Sequence, residues 1–401
     1  MDFIRIGKKK AQKAPEILPF ESSIVKNKKG KIVQIDFRFE EALKRIGKIE
    51  AKIDLSDKKL VKLVHFDGGY YEGEFSGKEF HGFGAYRLTN GDFYIGNFKR
   101  NMKHGLGLYK LGQNLEDTSQ NGETFYKGYF KKDIKEGKGC MRLFNGDCYI
   151  GEFKDNTFEG KGKLMFHNGD YYEGEFKDGR FHDQGIYVYG MKQQYEGEFL
   201  NGKREGKGVL TSIIDDSKYI GEFIRDAKDG EGYQFIEDIE EYTGKFAENK
   251  KNGYGHLRDL KNDQIYEGNF TNDMKNGENG MLRLQHPKPF EIKGTFKQNQ
   301  LLSGSTTLPD GSQYEGEFQE LMPHGKGQMK YKNGNDYKGI FVFGVKQGYG
   351  RYFDKRDNSL YEGEFKNDMF NGKGKYTFSD GSHFTGIFID NVLDAKLDED
   401  V

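Results

Sequence analysis

A five-residue pattern, aromatic-x-Gly-x-Phe, returns fourteen times along this chain of 401 residues, and no other feature limits the fold as strongly. Its first position falls at Tyr71, Tyr94, Tyr126, Tyr149, Tyr172, Tyr195, Tyr219, Tyr242, Tyr266, Ile292, Tyr314, Tyr337, Tyr361 and Phe384, with Ile292 in place of the aromatic. Neighbouring units lie 22 to 26 residues apart, except for 32 between Tyr94 and Tyr126. Six residues beyond the Phe, most units place a polar residue followed by Gly-x-Gly, as in His81-Gly82-Phe83-Gly84, Glu159-Gly160-Lys161-Gly162 and His324-Gly325-Lys326-Gly327. The unit is therefore bipartite.

Both halves have the period of a strand. In Tyr71-Glu72-Gly73-Glu74-Phe75 the rings and the glycine share one face and the glutamates take the other. Gly82, Gly84, Tyr86 and Leu88 again share one parity. A helical reading would put two or more glycines inside every helix, at a cost of about 1 kcal/mol each. Asp67-Gly68, Asn90-Gly91, Asn145-Gly146, Asn168-Gly169, Asp310-Gly311, Asn333-Gly334 and Asp380-Gly381 precede the motif and predict tight primed hairpin turns. Ser76-Gly77-Lys78-Glu79-Phe80 predicts a wider connection at the other end.

The resulting fold class is all-β: an elongated, twisted, single-layer antiparallel meander of about fourteen hairpins. At two strands per unit and ~4.8 Å per strand it would reach roughly 130 Å before twist shortens it. Hydrophobic residues at 34% and charged residues at 32% suit so thin a structure. Glycine positions leave room for a neighbouring ring to lie across bare backbone, which would cover the apolar face without a second layer. Each unit then buries its rings against adjacent units, and stability becomes a sum of local contributions.

Tyr71-Glu72-Gly73-Glu74-Phe75 followed by His81-Gly82-Phe83-Gly84 resembles the membrane occupation and recognition nexus (MORN) repeat, over residues 66–390. The resemblance implies one β-hairpin per repeat and a scaffolding role. It further implies a place in cilia, flagella, cell division or the cortical cytoskeleton. Radial spoke head proteins of the axoneme are the nearest kind by length and repeat-dominated design.

Departures from the pattern divide the chain. Residues 1–65 lack the repeat. They contain the basic runs Lys8-Lys9-Lys10 and Lys26-Asn27-Lys28-Lys29, a strand-like alternation from Ile32 to Phe39, and a stretch from Glu40 to Ile46 that could form helical turns. This extension is either a cap on the first hairpin or a docking segment for a partner. Residues 66–280 hold repeats one to nine, with a polar loop insertion near 112–120. Asp183 replaces the first glycine of its pair, and Asn276-Gly277-Glu278-Asn279-Gly280 carries one extra residue, the sign of a bulge. Residues 281–313 form the irregular tenth repeat, with His286-Pro287-Lys288-Pro289 ahead of Ile292 and Leu302-Ser303-Gly304 in place of Gly-x-Gly, and predict a kink. Repeats eleven to fourteen occupy 314–390, and 391–401 reads as an acidic terminal tail.

Chemistry finds no foothold in this pattern. Cys140 and Cys148 have no CxxC or histidine partners, so neither a zinc site nor a disulfide framework is expected. His81, His104 and His324 recur with the repeat and would have to converge to bind a metal. Gly82-Phe83-Gly84 lies inside a strand and is no phosphate loop. Glu72, Glu74, Glu173, Glu175, Glu196 and Glu198 read as a solvated face, not as paired catalytic carboxylates. The expectation is no enzyme, no catalytic residue, no cofactor and no metal. With 63 basic against 64 acidic residues, no overall field gathers nucleic acid. No signal peptide and no run of 18 apolar residues is seen, so the sequence reads as cytoplasmic, with the axoneme or cytoskeleton following from the resemblance.

Two functions are weighed. The first is a scaffold for protein–protein contacts in a ciliary, radial-spoke-like or cytoskeletal assembly. The second is a peripheral-membrane organiser that binds acidic phospholipids, for which the sequence offers no basic cluster beside an amphipathic or lipidated element. The open ends and long flank of such an array also invite homodimerisation, with Phe384-Thr385-Gly386-Ile387-Phe388 as a cap or a dimer edge.

Overall fold

The computed structural model describes residues 23–26, 32–36, 61–64, 69–112, 124–190, 192–285 and 289–397. A strand at Val61–Val64 pairs with Tyr70–Ser76, and fourteen hairpins follow, numbered here from hairpin 1 (residues 70–87) to hairpin 14 (residues 383–396). Each strand pairs with its chain neighbours. Among the described residues no pairing joins Val61–Val64 to Val392–Lys396, so the sheet is open and elongated, as the repeat predicts. Ser23–Lys26 and Ile32–Asp36 form a separate antiparallel pair. The stretch from Glu40 to Ile46 and residues 113–123 of the insertion lie outside the described residues.

Hairpin 4 (residues 148–165) shows how one unit holds itself together. Tyr149 faces Leu164, Gly151 faces Gly162 and Phe153 faces Phe158. The Tyr149 ring lies across the two glycines, where a Cβ on either would overlap the ring. Phe158 stacks on the same ring at 3.8 Å, while Phe153 and Phe176, the latter from the next hairpin, meet its edge at 5.1 and 5.0 Å. Backbone below, a ring above and ring edges at both sides leave Tyr149 with no exposed surface in a single-layer sheet. Such ring pairs contribute about 0.5–1.5 kcal/mol each beyond area burial.

The first glycine of Gly-x-Gly serves a different end. Gly160 has φ +58°, in the left-handed region, and lies in a bulge that sets Glu152 opposite Glu159 while Gly151 stays opposite Gly162. The Tyr149 hydroxyl donates to the Glu152 carbonyl beside that bulge, at 2.9 Å. The same bond from the motif tyrosine to the carbonyl three residues on occurs at all twelve tyrosine units. A phenylalanine could fill the slot but could not make that bond.

Turn types are the reverse of those expected from the Asn-Gly and Asp-Gly pairs. Leu143 and Asp147 enclose a three-residue loop in which Gly146 donates to the Leu143 carbonyl, and only Gly146, at φ +89°, is left-handed. This is a type I turn with a glycine bulge. The tight primed turns lie at the opposite edge, where the sequence predicts a wider loop. Lys154 pairs with Thr157 around Asp155-Asn156, whose φ values are 47° and 69°, and Arg100-Asn101, Lys132-Asp133 and Asn367-Asp368 repeat this. Asn and Asp tolerate that region, so these turns dispense with glycine.

The second residue of the primed turn also fastens one hairpin to the preceding one. Asp133 donates its N–H to the Lys103 carbonyl at 3.0 Å and accepts from the Lys103 N–H, through Oδ1, at 2.8 Å. Asn101 with Phe80, Asp273 with Lys251 and Asn391 with Phe370 do the same.

The irregular units remain in the sheet. Asp183 takes φ +46° where a glycine would fit, and Gly185 still pairs with Gly174 and Gly197. Asn279, at φ +59°, occupies the extra position between Gly277 and Gly280, a bulge as the sequence predicts. Pairing continues through hairpin 10 (residues 290–307), in the stretch where the sequence predicts a kink. The acidic tail assigned to 391–401 begins instead as the last strand, Val392–Lys396, paired with His383–Ile389. Its apolar residues face a partner strand, with Leu393 opposite Phe388, which composition alone concealed.

Candidate functional site

The residue five positions after each motif Phe pairs with that Phe, and in eleven of the twelve tyrosine hairpins its side chain lies against the tyrosine ring. It is Phe80, Lys103, Lys135, Phe158, Phe181, Arg204, Lys228, Lys251, Lys275, Leu301, Pro323, Lys346, Phe370 and Leu393 in hairpins 1 to 14. These side chains run as one row along the aromatic face, from buried Phe80, Lys251 and Leu301 to half-buried Phe158, Phe181, Lys228 and Lys275. The array thereby acquires segments: aromatic lids at hairpins 4 and 5 (residues 171–189), then four consecutive cations across hairpins 6 to 9 (residues 193–284).

The cations lie against rings. Arg204 Cζ is 5.6 Å from the Tyr195 centroid and 5.2 Å from that of Phe223, Lys228 Nζ is 4.8 Å from Tyr219, Lys251 Nζ 5.4 Å from Tyr242, and Lys275 Nζ 5.3 Å from Tyr266. Burial pushes the ammonium groups of Lys228 and Lys275 below the usual lysine range; Arg204 and Lys251 add to the effect at Lys228 while Asp215 and Asp273 oppose it, and at Lys275 Asp259 opposes it while Lys251 adds. Compensation is uneven. Lys251 donates to both oxygens of Glu240, and Arg204 donates to the Asp226 carbonyl at 2.6 Å with its Nε 3.4 Å from Asp226 Oδ1. Lys228 reaches only the neutral Gln234, at 2.6 Å, and no carboxylate lies within ion-pair distance of Lys228 or Lys275 among the described residues.

The sequence signal for this row was present as a column of Lys and Arg at a fixed offset from the motif Phe. Assigning that stretch to a loop hid it, because a loop residue has no fixed face. At the other end of the array, an open groove of about 520 Å³ is lined by Phe80, Tyr86, Tyr94, Phe98, Lys103 and Asp133.

Residues considered for chemistry stay apart. His81, His104 and His324 remain on separate hairpins, with His324 edge-on to Phe343, and no cluster of metal-ligating side chains occurs among the described residues. The motif glutamates lie on the face opposite the rings, exposed or half-buried, and Glu173 pairs with Lys163 at 2.8 Å. Cys140 and Cys148 are both free thiols, buried on that opposite face, and burial raises both above the usual thiol range.

A family model described as the MORN repeat matches residues 71–93, 94–113, 126–148, 149–171, 172–193, 195–214, 219–234, 242–259, 266–278, 314–336, 337–355 and 361–383. Each match opens at or within the unit of one motif tyrosine, and the units of Ile292 and Phe384 are left out. No curated protein matches the chain. Among solved structures, the SAS-4 (dCPAP) TCP domain in complex with a proline-rich motif of Ana2 (dSTIL) from Drosophila melanogaster is similar at 15% identity, over 40% of this chain and 84% of that one, with a TM-score of 0.26.

Proposed function

Because this chain belongs to the MORN-repeat family, a non-catalytic scaffold fold, we propose that it works as a structural member of a ciliary or flagellar assembly of the radial-spoke kind, or of a related cytoskeletal one. Its general role is that of a repeat scaffold for protein–protein interaction within a larger assembly. The finer placement draws on the likeness of its length and repeat-dominated design to radial spoke head proteins, and cytoplasmic, axonemal residence goes with it.

One observation carries the scaffold reading: fourteen hairpins contact mainly their own neighbours, so among the described residues no second layer covers the faces of the array. Many weak contacts distributed over such a length sum to strong attachment when the partner is itself extended or repeated. Cross-linking of the native assembly followed by identification of the linked peptides tests the placement. Axonemal spoke proteins among the linked partners support it; partners drawn only from membranes or from soluble enzymes overturn it.

A further inference from the structure

The row of cations over hairpins 6 to 9 has a spacing that selects a partner. Successive hairpins are separated by two strands, about 9.6 Å at ~4.8 Å per strand. A polyproline II segment rises ~3.1 Å per residue with three residues per turn, so every third side chain points the same way at ~9.3 Å intervals. Along the direction in which the strands stack, the mismatch over three hairpin steps is only about 1 Å, and the segment has to follow the sheet's twist as it goes. An α-helix presents the same face every seven residues at ~10.5 Å and accumulates about 3 Å of error, besides drifting around its own axis. A fully extended strand alternates faces and offers every third residue to opposite sides.

We propose that hairpins 6 to 9 bind an acidic protein segment in the polyproline II conformation, with a carboxylate at every third residue opposite Arg204, Lys228, Lys251 and Lys275. The two positions that continue it onto hairpins 4 and 5 carry apolar side chains, set against the half-buried Phe158 and Phe181. This deepens the scaffold reading and rests on it.

Charge complementarity supplies the argument. Lys228 and Lys275 are half-buried cations that feel Asp215 and Asp273, and Asp259, only from beyond ion-pair distance, and an incoming acid gives each a direct partner. Lys251 already holds Glu240 and contributes less. A planar bilayer is a poorer match, because these ammonium groups are half-buried against rings and do not stand out from the surface.

The test uses the full chain and a fluorescein-labelled sixteen-residue peptide, with Phe at positions 1 and 4, Glu at positions 7, 10, 13 and 16, and proline and alanine between, together with its reversed sequence. Fluorescence anisotropy at low salt is expected to show binding of one of the two, at least about tenfold tighter than the same peptide with Gln for Glu. Lys228→Gln with Lys275→Gln is expected to weaken it about tenfold. Lys103→Gln with Lys135→Gln, the same change at hairpins 2 and 3, is expected to leave it within about twofold. Equal losses in the two double variants, or equal binding of the Glu and Gln peptides by the unaltered protein, overturn the proposal. The peptide comparison needs no variant to fold. Phosphatidylserine vesicles that bind the protein and lose it on the Lys228/Lys275 change, with no peptide binding, assign the row to membrane and also overturn it. Should the peptides fail while native cross-links still join this chain to assembly proteins, the scaffold reading stands and this inference alone falls.

Discussion

Hairpins 10 and 11 (residues 313–330) are neighbours that bury the same slot by different means. In hairpin 11 Tyr314 covers Gly316 and Gly327 and donates its hydroxyl to the Glu317 carbonyl at 2.7 Å. In hairpin 10 Ile292 stands at the tyrosine position, buried as deeply as Tyr314, and the side chain over Gly294 is that of Leu301. Between its motif Phe and the second glycine, hairpin 10 is one residue shorter than hairpin 11, and Thr295 keeps a ladder partner in Ser303. Burial alone, then, does not require the tyrosine. The wider bulge does, because it leaves a carbonyl for the hydroxyl to satisfy. The two hairpins without that tyrosine are also the two the family model passes over, and both still pair.

The largest effect expected from this contrast comes from filling the glycine floor. Gly162→Ala in hairpin 4 puts a Cβ into the Tyr149 ring and should cost about 3 kcal/mol or more of local stability, read as lost amide protection in hairpins 3 (residues 125–142) to 5. Next is the exchange of slot residues. Tyr149→Phe leaves the bulge carbonyl unpaired and should cost roughly 1–3 kcal/mol. Ile292→Tyr should also destabilise, by about 1–3 kcal/mol, since the short bulge offers the new hydroxyl nothing and the slot is already full. Stabilisation of hairpin 10 by Ile292→Tyr, measured by hydrogen exchange, would contradict this explanation of the contrast.

Alkaline pH should separate the tyrosine hairpins from hairpin 10 as well. Burial, reinforced by Glu74 at Tyr71 and by Glu317 at Tyr314, raises these phenols to about 12, and Tyr219, Tyr266, Tyr337 and Tyr361 are likewise raised to about 12 by burial. A phenol whose folded pKa exceeds its unfolded value near 10 contributes stability that is complete below about pH 10 and lost as pH climbs toward 12. The buried lysines act in the opposite sense and favour the fold as pH approaches the lysine value near 10.5, so the net fall should begin only above about pH 10. Circular dichroism against pH checks the direction, and a sheet already lost below pH 9 would contradict it. The smallest expected effect is a gain. Asp183→Gly removes a side chain from a left-handed position and should stabilise hairpin 5 by about 0.5–1 kcal/mol in local opening free energy, seen as slower exchange there.

Much of this architecture is legible in the sequence. The alternation in Tyr71-Glu72-Gly73-Glu74-Phe75 fixes strand and face, and the regular spacing fixes which strands pair. The turns misled because Asn145-Gly146 reads as a primed turn, whereas one left-handed glycine suffices for a type I turn with a bulge. Asp155-Asn156 carries two left-handed residues with no glycine to announce them. That error shifted the second strand's start and turned Phe158, Lys228 and Lys275 into loop residues, which concealed the ring-covering row. The hydroxyl bond was equally hidden, since it depends on a bulge whose depth follows from φ at Gly160 and not from hydrophobic pattern.

Amide hydrogen exchange on the intact chain, comparing the unaltered protein with Tyr149→Phe, tests most directly whether each hairpin is held by its own tyrosine. Faster exchange confined to hairpins 3 to 5, with hairpins 10 to 13 (residues 290–377) unchanged, is the predicted result. Protection that falls evenly along the whole sheet, or does not fall at all, would contradict it.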